Sequence, residues 1–243
     1  MLKGLKDWFS GAAPAGAVQG WDAIPAWAEG REYAFRGVRG EGFVIDGRLG
    51  ATPWRLEWGP SQRPYVQGQE LRLRAELGLL SSLQAVVMNR ALQETLEKAV
   101  FEQYVEGVQT RIDNQTPAEM RWLVMFPKLP GADMGVLREH FVALSSSKTW
   151  LTQWLGGPLA ESLAAVKRDP ATPLVLMIGR GRLMLRTAVD VPDVNSLQGW
   201  LRLFEVAMRE ARRVSNDSPD ALTPSTQPSL WSNSVLPDEA NKK

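Results

Sequence analysis

Four consecutive segments, EYAFRGV (32–38), GFVIDGRL (42–49), PWRLEWG (53–59) and ELRLRAEL (70–77), alternate apolar and polar residues with a period of two. That period places successive side chains on opposite faces of a pleated strand and cannot build the apolar stripe of a helix. Gly, Pro and Asp punctuate the gaps, so the segments read as an antiparallel meander. The alternation also assigns faces. Trp54, Leu56 and Trp58 share one side of their strand, with Arg55 and Glu57 on the other. Leu71, Leu73, Ala75 and Leu77 lie opposite Glu70, Arg72, Arg74 and Glu76.

Beyond the meander the period changes. LQAVVM (83–88) fits either a strand or the start of a helix. Residues 90–108 carry Leu92, Leu96, Val100, Tyr104 and Val108 at helical spacing. Thr116-Pro117-Ala118-Glu119 has the form of a helix start, with Glu119 reaching back to the first turn. The following MRWLVMFP is apolar enough for a short helix or a buried strand. Residues 141–144 suggest a further strand. Residues 147–166 suggest a helix interrupted at Gly156-Gly157-Pro158. PLVLMI (173–178) and RLMLRTAV (182–189), joined by Gly179-Arg180-Gly181, predict a tight hairpin. Asn195 and Gln198 resemble a capping box for a last helix that buries Leu197, Leu201, Phe204 and Met208.

The expected fold is α+β. An antiparallel sheet packs its leucine-and-tryptophan face against helices at about 90–108 and 195–213. LRLRAELGLLSSLQ (71–84) and LMLRTAVDVPDVNSLQ (183–198) share Leu-x-Leu-Arg followed by Ser-Leu-Gln, which raises the idea of two related strand–strand–helix units. The expected organisation is an N-terminal segment, 1–20, a body, 21–214, with halves at 21–115 and 116–214, and a tail, 215–243. Leu2, Leu5, Trp8 and Phe9 would form the apolar side of a short helix over residues 1–9. The tail is rich in Ser, Pro, Asn and Asp, a composition that favours disorder.

Charge and composition exclude several functions. Among 243 residues, 28 basic side chains face 27 acidic ones, too even a balance for a dedicated nucleic-acid binder. The absence of cysteine removes disulfides, thiolate metal sites and cysteine nucleophiles, and suits a cytoplasmic protein. The longest strongly apolar run, Leu174 to Ile178, is five residues, against roughly 20 for a membrane span.

The chain carries no phosphate-loop, zinc-protease or nucleophile-elbow motif. His140 is the only histidine, so a Ser–His–Asp triad would have to recruit it together with Asp133 and one of Ser145, Ser146 and Ser147. The simpler expectation is a surface histidine, with the serines capping the next helix. No cofactor and no metal are expected. Asp46, Glu57, Glu70 and Glu76 lie on or beside strands, where carboxylate chemistry would need two of them across a cleft. Arg72, Arg74, Arg180 and Arg182 are the candidate anion contacts, and Arg36, Arg39, Arg48 and Arg63 would have to cluster with Arg72 and Arg74. The glutamates around Arg72 and Arg74 favour a solvated, self-paired face instead. Of ten tryptophans, Trp54, Trp58, Trp122, Trp150, Trp154 and Trp200 sit in apolar periodic runs and are expected in the core, whereas Trp8 and Trp231 lie outside it.

The function expected is that of a non-enzymatic cytoplasmic protein that contacts an unidentified protein partner. Leu230, Trp231, Val235 and Leu236 are the candidate docking residues. An enzyme using carboxylates or His140, and a peripheral membrane protein held weakly through residues 1–9, are the alternatives.

Overall fold

The computed structural model describes residues 21–105 and 116–217. Eight strands form one antiparallel sheet. They are β1 (Ala34–Val38), β2 (Gly42–Leu49), β3 (Thr52–Pro60), β4 (Gln69–Glu76), β5 (Ala85–Asn89), β6 (Phe141–Ser145), β7 (Leu174–Gly179) and β8 (Arg182–Ala188), in the order β1-β2-β3-β4-β8-β7-β5-β6. The first four form the expected meander. The β7–β8 hairpin then inserts between β4 and β5, so both halves of the body share one sheet. Six α-helices are described: α1 (Ala23–Glu29), α2 (Arg90–Val105), α3 (Ala118–Met125), α4 (Lys148–Trp154), α5 (Pro158–Ala164) and α6 (Val194–Asp217). A 3-10 helix covers Gly131–Leu137.

The class is α+β, as the alternation predicts. One face of the sheet carries Trp54, Leu56, Leu71, Leu73, Leu183, Leu185, Leu176 and Val87, and packs on α1, α4, α5 and α6. Helix α2 does not join them. It lies with α3 on the opposite face, where Leu92, Leu96, Trp122 and Leu123 cover Val86, Met88, Val175 and Met177. The reason lies in β5 and β7, whose runs AVVMN and LVLMI are apolar on both sides and need cover on both. The sheet is therefore clothed twice over β5–β7 and once over β1–β4.

Turn and cap chemistry explain the boundaries. Gly179 pairs with Arg182, leaving Arg180 (φ 55°) and Gly181 (φ 75°) as a two-residue turn with both residues left-handed. A Cβ at Gly181 would meet the Leu79 carbonyl oxygen at 2.9 Å. Gly156-Gly157-Pro158 divides α4 from α5, and Ser147 caps α4 by accepting from Trp150 N. The start of α6 differs from expectation. Asp193, not Asn195, accepts from the N–H groups of Asn195 and Ser196, because α6 begins at Val194, two residues before an Asn195 cap would start it. Likewise Glu119 does not turn back on the first turn of α3. Its carboxylate accepts instead from Arg63 and Tyr65, which lie on the same side of the sheet.

Two other expectations change. Residues 215–217 belong to α6, where Ser215 Oγ accepts from Trp150 Nε1 at 3.0 Å, so the body extends past Val214. Ser82-Leu83-Gln84 leads into strand β5, whereas Ser196-Leu197-Gln198 lies within helix α6. The duplication idea is therefore not confirmed, since the shared pattern covers strands β4 and β8 and then diverges. Helix α1 was not foreseen. Ile24 and Ala28 bury it, and a cluster of Trp21, Phe35, Phe43 and Trp58 rings pins the adjacent chain to β1–β3. The six tryptophans expected in the core take core positions. Trp54, Trp122, Trp150, Trp154 and Trp200 are buried and Trp58 partly so. Trp154 Nε1 donates to the Ala207 carbonyl and Trp58 Nε1 to that of Val189.

Candidate functional site

The polar side of β2, β3, β4 and β8 is the one sheet face that no described helix covers. Register places its side chains in rows across the strands. One row runs Arg36–Val44–Glu57–Arg72–Arg186 and continues into the apolar half as Val175–Met88–Val142. The next runs Asp46–Arg55–Arg74–Met184–Met177–Val86–Leu144. Each row passes from charge to hydrocarbon where α2 and α3 begin to cover it.

Within the rows arginine stands opposite arginine twice, Arg72 against Arg186 and Arg55 against Arg74. Like charges directly opposed destabilise a strand pair unless something intervenes. For the first pair Glu70 intervenes. It is fully buried, and its carboxylate accepts from Arg186 Nη1 at 2.7 Å, from Arg72 Nη1 at 3.3 Å and from the Gln62 N–H at 2.8 Å. Glu57 accepts from Arg72 Nε at 3.3 Å and lies 3.2 Å from Arg74 Nη2.

The β3–β4 connection, residues 61–68, folds over the seam between the charged and apolar halves. Arg63 Nε and the Tyr65 hydroxyl both donate to Glu119 Oε1. Glu119 is also fully buried, and its second oxygen, like Arg186 Nε, has no hydrogen-bond partner. Burial pushes the Tyr65 hydroxyl well above the usual phenol range, and the Glu119 charge pushes it further. Burial opposes the Arg63 charge, but the Glu119 field and hydrogen bond outweigh it and hold the guanidinium above its ordinary value. Each buried acid therefore faces a guanidinium. The arrangement fastens the loop, α3 and β8 to one another.

The predicted anion contacts separate. Arg72 is held by Glu57, Glu70 and the Pro60 carbonyl, with a side chain only 14% exposed. Arg180 occupies the exposed tip of the β7–β8 hairpin. Arg74 and Arg182 come together in an open groove of about 400 Å³ that also takes in Arg55, Asp46 and Glu76. Arg55 is not among the predicted anion contacts. Its place follows from register, which only the β3–β4 pairing reveals. Arg63 joins Glu119, and Arg48 donates to the Ala51 carbonyl. No protein-family model, curated protein or solved structure matches the chain.

His140 is exposed just before β6, and its carbonyl accepts from the Arg90 N–H. Ser145 Oγ donates to the Gln84 carbonyl, and Ser147 caps α4. These serines serve the backbone. Among the described residues no group of three or more His, Cys, Asp or Glu side chains could hold a metal ion, and no helix is long and apolar enough to cross a membrane. The proposed docking residues Leu230, Trp231, Val235 and Leu236, and the amphipathic stretch 1–9, lie outside the described residues.

Proposed function

We propose that this is a non-enzymatic cytoplasmic protein that works by contacting another protein, with the open polar face of β2, β3, β4 and β8 as its working surface. The observation that carries this is the uneven cover of the sheet. Helices bury one face throughout and the other only over β5–β7, while on the part left open ion pairs join Arg55 to Asp46, Arg72 and Arg74 to Glu57, and Arg186 to Glu70. A rigid, patterned polar face loses little side-chain freedom when a partner docks. The tail residues Leu230, Trp231, Val235 and Leu236 offer a second contact in the same proposal.

A photo-crosslinking residue placed at Arg36 or Arg48, both exposed on the open face, tests the proposal in the native cell. Discrete protein adducts are expected from these positions and not from Glu161, exposed on α5. Equal labelling from all three positions, or none from Arg36 and Arg48, would count against this surface.

A further inference from the structure

We propose that the groove around Arg74 is a carboxylate-binding site that receives a single acidic side chain of a partner protein. This rests on the open face being the docking surface. The case is a charge comparison between two neighbouring rows. Glu57–Arg72–Arg186 and Asp46–Arg55–Arg74 each contain one acid and two directly opposed guanidiniums. In the first row buried Glu70 supplies the missing negative charge and bonds both arginines. The second row has no acid of its own beyond Asp46, and its only supplement is Glu57, which it shares with Arg72. Asp46 is occupied by Arg55 through two bonds, of 2.6 and 3.0 Å. Glu76, the next acid along β4, is taken by Arg182 Nε at 2.6 Å.

Arg74 is left with its 3.2 Å contact to Glu57, which Arg72 shares, and with Met184 beside it in the row. Its side chain is 48% exposed and opens on the groove. Across the paired network five guanidiniums, of Arg55, Arg72, Arg74, Arg182 and Arg186, face the four carboxylates of Asp46, Glu57, Glu70 and Glu76, which leaves one positive charge in surplus. That surplus matches a monoanion. Asp46 and Glu76 would repel a doubly charged phosphate more strongly than a carboxylate. The planar fork of Arg74, largely unused, suits two parallel N–H···O bonds to a carboxylate.

The test is a titration of full-length, 15N-labelled protein with the capped peptide acetyl-Ser-Gly-Glu-Gly-Ser-amide, following the arginine Nε–Hε signals. Saturable shifts confined to Arg74 and Arg55 are expected. The peptide with Gln in place of Glu should give none. Arg74→Gln should abolish saturation over the same concentrations and Arg74→Lys should weaken it, while Arg180→Gln leaves it intact. The absence of saturation by the Glu peptide would overturn the site, as would equal loss in Arg180→Gln. Equal or stronger shifts with inorganic phosphate would overturn its assignment to a carboxylate. Crosslinking from Arg36 and Arg48 with no response to the peptide would retain the docking face and reject this site alone.

Discussion

Arg186 Nη1 lies 2.7 Å from Glu70 Oε1 across the β4–β8 pair, and the carboxylate is fully buried. Glu70 is what allows Arg72 and Arg186 to stand opposite each other. Removing it leaves two partly buried guanidiniums facing one another, so Glu70→Ala should destabilise by about 3–5 kcal/mol, the usual loss when one partner of a buried pair is deleted. Glu70→Gln, which keeps the shape, should lose less. Combining Glu70→Leu with Arg186→Met should recover most of the stability, since a well-packed apolar pair often replaces a buried ion pair without loss. Urea unfolding midpoints of the three variants check the order.

The sequence LRLR of β4 makes a graded series. Leu73 is buried between sheet and helices, so Leu73→Ala should cost about 2–5 kcal/mol. Alternation alone treats Arg72 and Arg74 as equivalent solvated arginines, each worth about 0–1 kcal/mol. The structure separates them. Arg72→Ala strips bonds from Glu57, Glu70 and the Pro60 carbonyl and should cost more than about 1 kcal/mol. Arg74→Ala should stay below about 1 kcal/mol. Equal losses for the two arginine variants would show that these bonds contribute nothing at Arg72.

The contrast between Arg72 and Arg74 also marks where the sequence stops being informative. Strands β1–β4, the β7–β8 turn and the apolar stripe of α6 follow from local periodicity, because each is decided within a few residues. The cover on the second face was present in the residues as well, since AVVMN and LVLMI are apolar on both sides and call for helices on both. The buried charge cluster was not legible. Glu119 and Arg63 are 56 residues apart, and Glu70 and Arg186 are 116 apart. Nothing local distinguishes Glu119 in its TPAE context from an ordinary capping glutamate. Insertion of the β7–β8 hairpin beside β4 creates the cluster, and single-chain periodicity does not encode strand order.

Tyr65 should make stability fall in alkali. Burial first, and then the Glu119 charge, raise the folded-state pKa above the unfolded value of about 10. Below about pH 10 the phenol is protonated in both states, so its contribution is complete. Above that, the unfolded chain releases a proton that the folded protein retains, and stability falls by up to about 1.4 kcal/mol per pH unit. Tyr65→Phe removes this term. The loss of stability between pH 9 and 11, measured by urea midpoint, should be smaller in Tyr65→Phe than in the parent. An identical slope would show that Tyr65 ionises as freely folded as unfolded.

At the β7–β8 tip, Arg180 holds φ at 55° although it is not glycine. Asn tolerates this left-handed conformation better, and Asn-Gly is a favoured pair for a two-residue hairpin. Arg180→Asn should therefore raise the melting temperature slightly, by the equivalent of under about 1 kcal/mol. Gly181→Ala should lower it, because φ is 75° and the new Cβ would press on the Leu79 carbonyl oxygen. Thermal unfolding of the two variants should give shifts of opposite sign.

The last helix defines where a tail deletion should begin. Trp150 is fully buried, and its Nε1 donates to Ser215 Oγ. Arg213 pairs with Glu210 and with Asp217, so α6 is still making contacts at its last residue. Deleting 218–243 leaves these contacts intact. The segment removed is polar and proline-rich, with too few apolar groups to offset the entropy of ordering, so the melting temperature should not change. Deleting 215–243 also takes the acceptor from Trp150 and should cost about 1–3 kcal/mol. The proposed partner role lies in Leu230, Trp231, Val235 and Leu236, so the shorter deletion should lose at least one co-purifying protein while the fold remains. Trp231→Ala in the full chain should lose the same protein. Retention of every partner by both variants would leave the tail without a docking role. A fall in melting temperature on deleting 218–243 would show instead that Trp231 packs against the body.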